Sequence, residues 1–313
     1  MKFYDENLLM LTEARKSRFQ PNTILQILVF IVVFFATNIA ASIIPSFAII
    51  INLFSNNSIA TPEDIIEYSN NLPNSILLVT LFSTIFVTFL TIIHCRFIEK
   101  RPLSSMGLIK KNAVKQYLIG YGIGIIIFSS AFFIAAITGS IEINGFNSNI
   151  AYGMIILFFI GFLIQGMSEE VLLRGYFMVS LSNRAPMVAA VLINSVAFAM
   201  LHLANNGITL LAFINLSLFG IFASLYVLKT GNLWGACAIH SAWNFFQGNI
   251  YGISVSGLNT DKAALLNITN DTSLNYINGG SFGMEGGLAV SIVLIIGIIG
   301  LLVYKRVKSE LIS

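Results

Sequence analysis

The sequence contains few charged residues. Only 10% of its 313 residues are Asp, Glu, Lys or Arg, whereas a soluble domain carries about 25%. Hydrophobic residues make up 56% of the chain, and its mean hydropathy is +0.84. So little charge cannot cover a water-facing surface, which excludes a soluble enzyme, a disordered chain and a nucleic-acid-binding protein. The two cysteines, Cys95 and Cys237, are too few for a disulfide framework.

Long apolar runs are present instead. A helix needs about 20 mostly apolar residues to cross the hydrocarbon core of a bilayer. Eight segments meet this requirement: 24–54, 75–95, 117–138, 150–182, 186–204, 208–228, 231–250 and 287–304. The sequence therefore predicts an all-α fold, a polytopic membrane helix bundle with about eight transmembrane helices in the lipid bilayer.

The basic residues predict the orientation of this bundle. With eight spans, all of the 17 Lys and Arg residues except Arg174 and Lys262 fall in the N-terminal leader, the even-numbered connections and the C-terminal tail. Lys and Arg near span ends stay on the cytoplasmic side. Both termini are therefore predicted to be cytoplasmic.

The chain divides into three parts by this reading. Residues 1–149 hold the first three spans, residues 150–250 hold the spans with unusual polar residues, and residues 251–313 hold an outer loop and the last span. The outer connection 251–286 is rich in Asn, Ser, Gly and Thr. We expect it to be a flexible loop without a core of its own.

Three charged residues lie inside the fourth span, namely Glu169, Glu170 and Arg174. One charge at the centre of a span costs about 3 kcal/mol on insertion scales, so three together require a function. Glu170 and Arg174 are four residues apart and share a helix face, which predicts an ion pair. Glu169 lies about 100° around the helix axis. The spacing therefore predicts a structural pair and one glutamate that is available for chemistry.

Two histidines lie in later spans, each with a neighbour four residues away. His202 follows Phe198 and His240 precedes Asn244. Residue counts from the cytoplasmic span ends place both histidines and the glutamates in the inner half or near the middle of the bilayer. A cytoplasm-facing cavity is then the simplest expected route for a substrate, and sideways entry of a substrate cleaved within the bilayer stays open as the alternative. Four other polar residues are interpreted as helix–helix contacts: Gln165, Asn194, Ser195 and Asn215.

The polar residues form three motifs that resemble those of a known protein family. E-E-x-x-x-R begins at Glu169, F-x-x-x-H ends at His202, and H-x-x-x-N begins at His240. Together, in this order on separate spans, they resemble the CPBP family of intramembrane proteases. That family includes the CaaX prenyl endopeptidases and bacterial relatives linked to bacteriocin immunity. The resemblance covers approximately residues 150–250 and implies an endopeptidase acting on a membrane-associated protein or peptide.

The resemblance also implies roles for the motif residues. Glu169 and His202 would activate a water for attack on a peptide carbonyl, and His240 and Asn244 would stabilise the oxyanion. The supporting residues would be Glu170, Arg174 and Phe198. An ion-coupled transporter and a non-catalytic membrane scaffold stay open as alternatives, because transporters also bury carboxylates and histidines.

A metal cofactor is also left open by the residues. Glu169, His202 and His240 would supply three ligands with a free fourth position, the pattern of catalytic zinc. The chain lacks H-E-x-x-H, however, and the same three groups suit a metal-free, Glu-activated water. Cys237 is interpreted as a packing residue. The expected location is the cell membrane, most simply a bacterial plasma membrane, where the role would be peptide processing or bacteriocin self-immunity.

Overall fold

The structure is a computed structural model that describes residues 4–56, 61, 68, 72–148, 150–259 and 263–304. It is mostly helical. The α-helices are α1 Leu9–Ala14, α2 Thr23–Asn56, α3 Asn74–Ser83, α4 Ile85–Ile93, α5 Ala113–Ile137, α6 Tyr152–Glu170, α7 Val179–Leu181, α8 Met187–Met200, α9 Leu210–Thr230, α10 Trp234–Phe245, α11 Asn275–Asn278 and α12 Leu288–Val303. Every apolar segment predicted as a span contains one or more of these helices.

Several helices are long and apolar enough to cross a membrane. Within the described residues these are five stretches: Thr23–Ser55, Asn74–Ile98, Ala113–Ile137, Tyr152–Leu181 and Leu210–Thr230. The helices α8 and α12 are also apolar but shorter. The chain is therefore a multi-pass membrane protein, and the count of eight crossings stays a prediction.

The segment 251–286 is not the unstructured loop that its composition suggested. Strand β1, Ile141–Phe146, pairs antiparallel with strand β2, Leu266–Asn270. Phe282 and Met284 are fully buried, so this segment has apolar anchors of its own. The prediction that this segment is a flexible loop without a core of its own was wrong, although the fold as a whole is mostly helical. Apolar and polar residues alternate along β2, which is the period of a strand rather than of a loop.

One end of the bundle, which we call the loop end, is formed by the described residues of the connections 138–150, 201–209 and 251–287. The two strands join the first of these connections to the third. Asn205 Nδ2 donates to the Ser256 carbonyl at 2.9 Å, which joins the second to the third. The three connections therefore meet on one side of the bundle.

The opposite end, which we call the basic end, comprises residues 4–22, 96–115, 182–186 and 229–234. Leu233 N donates to the Gly107 carbonyl at 2.9 Å, and Arg184 Nε donates to the Gln20 carbonyl at 3.2 Å. Among the described Lys and Arg residues, every one except Arg174 lies at the basic end. The remaining basic residues of the predicted cytoplasmic side, Lys2, Lys305, Arg306 and Lys308, lie outside the described residues.

Helices α6 and α10 carry the polar motifs and approach each other closely. A Cβ atom added at Gly166 of α6 would lie 2.7 Å from Ser241 N of α10. A larger residue would push the helices apart, as at the small-residue interfaces of other membrane helices. Gly166 therefore allows the glutamates of α6 to reach the histidine of α10.

Candidate active site

A buried cluster joins the first motif to the third. Glu170 Oε1 accepts from Arg174 Nη1 at 2.8 Å and contacts His240 Nδ1 at 2.9 Å. The side chains of Glu170 and Arg174 are fully buried. The ion pair predicted from their spacing is present, and it includes His240 as a third member. Because a carboxylate only accepts hydrogen bonds, His240 donates through Nδ1 and presents Nε2 on its other side.

Glu169 lies beside this cluster in a different environment. Its Oε1 accepts from Gln165 Nε2 at 2.6 Å. Its Oε2 lies 3.8 Å from His240 Nε2 and is buried with no hydrogen-bond partner among the residues described. Burying a carboxylate oxygen without a donor is costly, and such atoms are rare in native proteins. Glu170 Oε2 also lacks a donor, but of the two glutamates only Glu169 lines a cavity, which marks it as the one that is available for chemistry.

Gln165 links the glutamate to the amide of the third motif. Its Oε1 accepts from Asn244 Nδ2 at 2.9 Å, while its Nε2 donates to Glu169. One Gln165 amide therefore sets the position of two predicted catalytic residues. The sequence reasoning assigned Gln165 to helix–helix contact. The spacing of four residues between Gln165 and Glu169 is the sequence feature that could have predicted their contact.

The second motif contacts the other two through an aromatic ring. The Phe198 ring centroid lies 4.8 Å from that of His202 and 5.9 Å from that of His240. Arg174 Cζ lies 4.7 Å from the Phe198 ring centroid, which is within cation–π range. His202 Nδ1 lies 2.9 Å from the Phe198 carbonyl. Since a carbonyl only accepts, Nδ1 is the donor and Nε2 of a neutral His202 is the acceptor.

The predicted catalytic residues share one cavity of about 200 Å³. Glu169, His202, His240 and Asn244 all line it, together with Gln165. Much of the remaining wall is apolar and includes Leu81, Phe162, Phe219 and Trp243. Acid, imidazole and amide groups from separate helices therefore converge on one space with apolar walls.

Glu285 is a further acidic residue on the cavity wall, and the sequence analysis did not predict it. Gln247 Nε2 donates to its Oε2, and Ser256 Oγ donates to its Oε1 at 3.1 Å. Burial raises the pKa of the Glu285 carboxyl from 4.5 to about 7. Glu285 comes from the segment 251–286, for which the composition predicted a flexible loop without a core of its own.

Glu169, His202 and His240 are the residues that the sequence leaves open as ligands of a zinc ion. Within the part of the chain that the structure describes, no group of three His, Cys, Asp or Glu side chains is placed to hold an ion. Cys237 is buried and does not line the cavity, as expected of a packing residue. We therefore derive no catalytic step through a metal.

Comparison with known proteins agrees with the motifs. Residues 151–246 match the model of a family described as Rce1-like, type II CAAX prenyl endopeptidase. No curated protein and no solved structure matches the chain. The matched range contains all three motifs, so the resemblance predicted from them is confirmed. At the level of the family, the match supports an intramembrane protease with a membrane-associated substrate.

Proposed function

We propose that the chain is an intramembrane endopeptidase in which Glu169 activates a water molecule to hydrolyse a peptide bond of a membrane-associated protein or peptide. One observation carries the proposal. A buried carboxylate oxygen without a donor lies 3.8 Å from His240 Nε2 in a cavity that His202 and Asn244 also line. General-base hydrolysis requires such a carboxylate, and the imidazole and amide supply further polar groups.

The distances between these groups suit a water molecule. A water roughly 2.8 Å from Glu169 Oε2 would also come within reach of His240 Nε2, because these two atoms are 3.8 Å apart. Glu169 accepts one proton as the water oxygen attacks the carbonyl carbon. The same carboxyl returns that proton to the amide nitrogen as the C–N bond breaks. The products are a carboxylic acid and an amine, with Glu169 restored.

The oxyanion that forms during attack needs hydrogen-bond donors. Asn244 has two amide hydrogens and Gln165 accepts one of them, so the other is available. His240 donates through Nε2 only when it carries protons on both nitrogens, because Nδ1 is bonded to Glu170. His202 presents Nε2 as an acceptor and assists Glu169 with the water, the role that the family resemblance implies. Glu170, Arg174 and Phe198 hold these groups in place.

We place this enzyme in a bacterial plasma membrane, with eight crossings and both termini in the cytoplasm. The helix in each predicted span and the concentration of basic residues at one end support this topology. Bacteria lack prenylated CaaX tails, so the substrate would be another membrane-associated peptide. By resemblance, its cleavage would serve peptide processing or bacteriocin self-immunity.

The proposal is tested by comparing membrane peptides in cells that produce the wild type or Glu169→Gln. The variant keeps the size of the side chain but removes the base, so the substrate is expected to accumulate uncut and its fragments to disappear. Glu142→Gln is the matched control, because Glu142 is exposed on β1 and lies away from the cavity. Fragments that persist at wild-type levels in Glu169→Gln refute the proposal. Solute uptake into proteoliposomes that is lost in this variant would indicate a carrier instead.

A further inference from the structure

The cavity of the candidate active site lies at the loop end of the bundle. Asn205, Ser256, Leu258 and Glu285, which come from connections of that end, line it alongside the motif residues. Leu258 is 41% exposed, so it borders both the cavity and the surroundings of the protein. The loop connections therefore form part of the wall and of the rim.

Two helices, α8 and α12, bring residues to the cavity from the parts that adjoin the loop end. His202 belongs to the turn that follows α8, since that helix ends at Met200. Val290 and Leu294 come from the first half of α12, which begins just after the segment 251–287. The cavity therefore extends from the loop end, where α8 and α12 contribute, to Glu169 and His240 deeper in the bundle.

The path from the cavity to the basic end is filled with packed side chains. Every residue from Val171 to Leu181, the stretch that leads from Glu170 toward the basic end, is buried. Arg174 in this stretch is fully buried beneath the motif glutamates. In α10, which leads from the basic end to His240, all residues from Gly235 to Phe245 are buried as well. Entry from the basic end would require these side chains to separate.

The distribution of charge places the two ends of the bundle on opposite sides of the membrane. The basic end holds every described Lys and Arg except Arg174. The described charged residues of the loop end are acidic, namely Glu142, Asp271 and Glu285. Because basic residues near span ends stay in the cytoplasm, the loop end faces the opposite side.

We propose that the cavity receives its substrate from the non-cytoplasmic side of the membrane. If the proposed proteolysis holds, the substrate is a polypeptide segment that is exported or anchored in the outer leaflet. This differs from the cytoplasm-facing cavity expected from residue counts. Those counts placed His202 inside a span, whereas it lies beyond the end of α8. The apolar wall would accept apolar side chains next to the bond that is cut.

The proposal is tested by labelling cysteine variants with a membrane-impermeant maleimide on intact cells and after lysis. Leu258→Cys reports on the rim of the cavity, and Lys110→Cys, an exposed position of the basic end, is the matched control. The native Cys95 and Cys237 are buried, so the wild type gives the blank. Leu258→Cys is expected to react on intact cells, and Lys110→Cys only after lysis. The reverse pattern would overturn the proposal.

This labelling does not depend on proteolysis, so the two proposals fail separately. Made in the Glu169→Gln background, it reports the side of the cavity even if that variant still cuts peptides. Ser256→Cys, also on the cavity wall, replaces Leu258→Cys if the latter is not produced. Ser256→Cys that reacts only after lysis also overturns the proposal.

A second measurement links the side of the cavity to the substrate. In Leu258→Cys cells, a bulky impermeant maleimide is expected to cause loss of the peptide fragments that depend on Glu169. The same treatment of Lys110→Cys cells should leave the fragments unchanged. Fragments that persist after complete modification of Leu258→Cys would refute entry from this side.

Discussion

Two buried glutamate–arginine clusters in this protein have the same composition but different surroundings. At the basic end, Arg101 Nε lies 2.8 Å from Glu99 Oε2, and both residues are at most 1% exposed. In the active site, Arg174 Nη1 lies 2.8 Å from Glu170 Oε1, and both residues are fully buried. By distance and burial alone the two ion pairs cannot be told apart.

The neighbours of each pair make the difference. Ser180 Oγ lies 3.0 Å from both carboxylate oxygens of Glu99, and Arg101 donates to the Gly175 carbonyl at 3.4 Å. Glu170 instead holds an imidazole, and beside it Glu169 has an oxygen without a donor at a cavity wall. A buried ion pair is therefore weak evidence for chemistry. The adjacent acid that borders a cavity is the informative feature.

Removing both charges of each pair gives the sharpest test of this comparison. We expect the double variant Glu99→Gln, Arg101→Met to keep proteolysis, because removing both charges together leaves no buried charge without its partner. Glu170→Gln, Arg174→Met should lose it almost completely, because His240 Nδ1 loses its carboxylate. Fragment formation and thermal unfolding in detergent would measure both effects.

The single variants provide the control for folding. Arg101→Met and Arg174→Met each leave a buried carboxylate without its arginine, and breaking a buried pair in this way costs about 3–5 kcal/mol of stability. Both should therefore unfold earlier than the double variants of the same pair. If both double variants cut the substrate equally well, the distinction drawn between the two clusters is wrong.

The same two clusters show which side-chain pairs can be predicted from the sequence. Glu170 and Arg174 were predicted as a pair, because a spacing of four fixes their geometry within one helix. Glu99 and Arg101 were not predicted as a pair, because residues two apart do not face each other on a helix. They meet in the turn after α4, and Ser180, 81 residues from Glu99, completes their cluster. Pairing of this kind depends on tertiary structure.

For the rest of the molecule too, features set by local sequence were predicted and features set by distant contacts were not. Apolar length predicted the positions of the helices, and the three motifs identified the four residues that share the cavity. The strand Leu266–Asn270 was missed because its five residues gain stability only by pairing with β1. The contact of Gln165 with Asn244 spans 79 residues, so only its i, i+4 relation to Glu169 was visible beforehand.

A smaller effect on catalysis is expected from Gln165→Leu. The variant removes the amide that positions Glu169 and Asn244, so kcat should fall roughly 10- to 100-fold while KM changes little. The assay would use the substrate identified through Glu169→Gln. Asn194→Leu is the matched control, because Asn194 is a buried amide that bonds Ser224 away from the cavity. It should lower stability without a comparable loss of kcat. Equal losses of kcat in the two variants would reduce Gln165 to a packing residue.

The smallest effect on proteolysis is expected at Glu285, where stability rather than activity should respond to pH. Burial raises the pKa of this carboxyl from 4.5 to about 7, so between these values the folded chain holds a proton that the unfolded chain has released. Stability should therefore fall as pH rises through this window, and the loss should be complete above it. Glu285→Gln still accepts from Gln247 and donates to the Ser256 hydroxyl, so its Tm in detergent should fall less between pH 5 and 8 than that of the wild type. Equal slopes of Tm against pH in the two proteins would show that Glu285 does not titrate in this range.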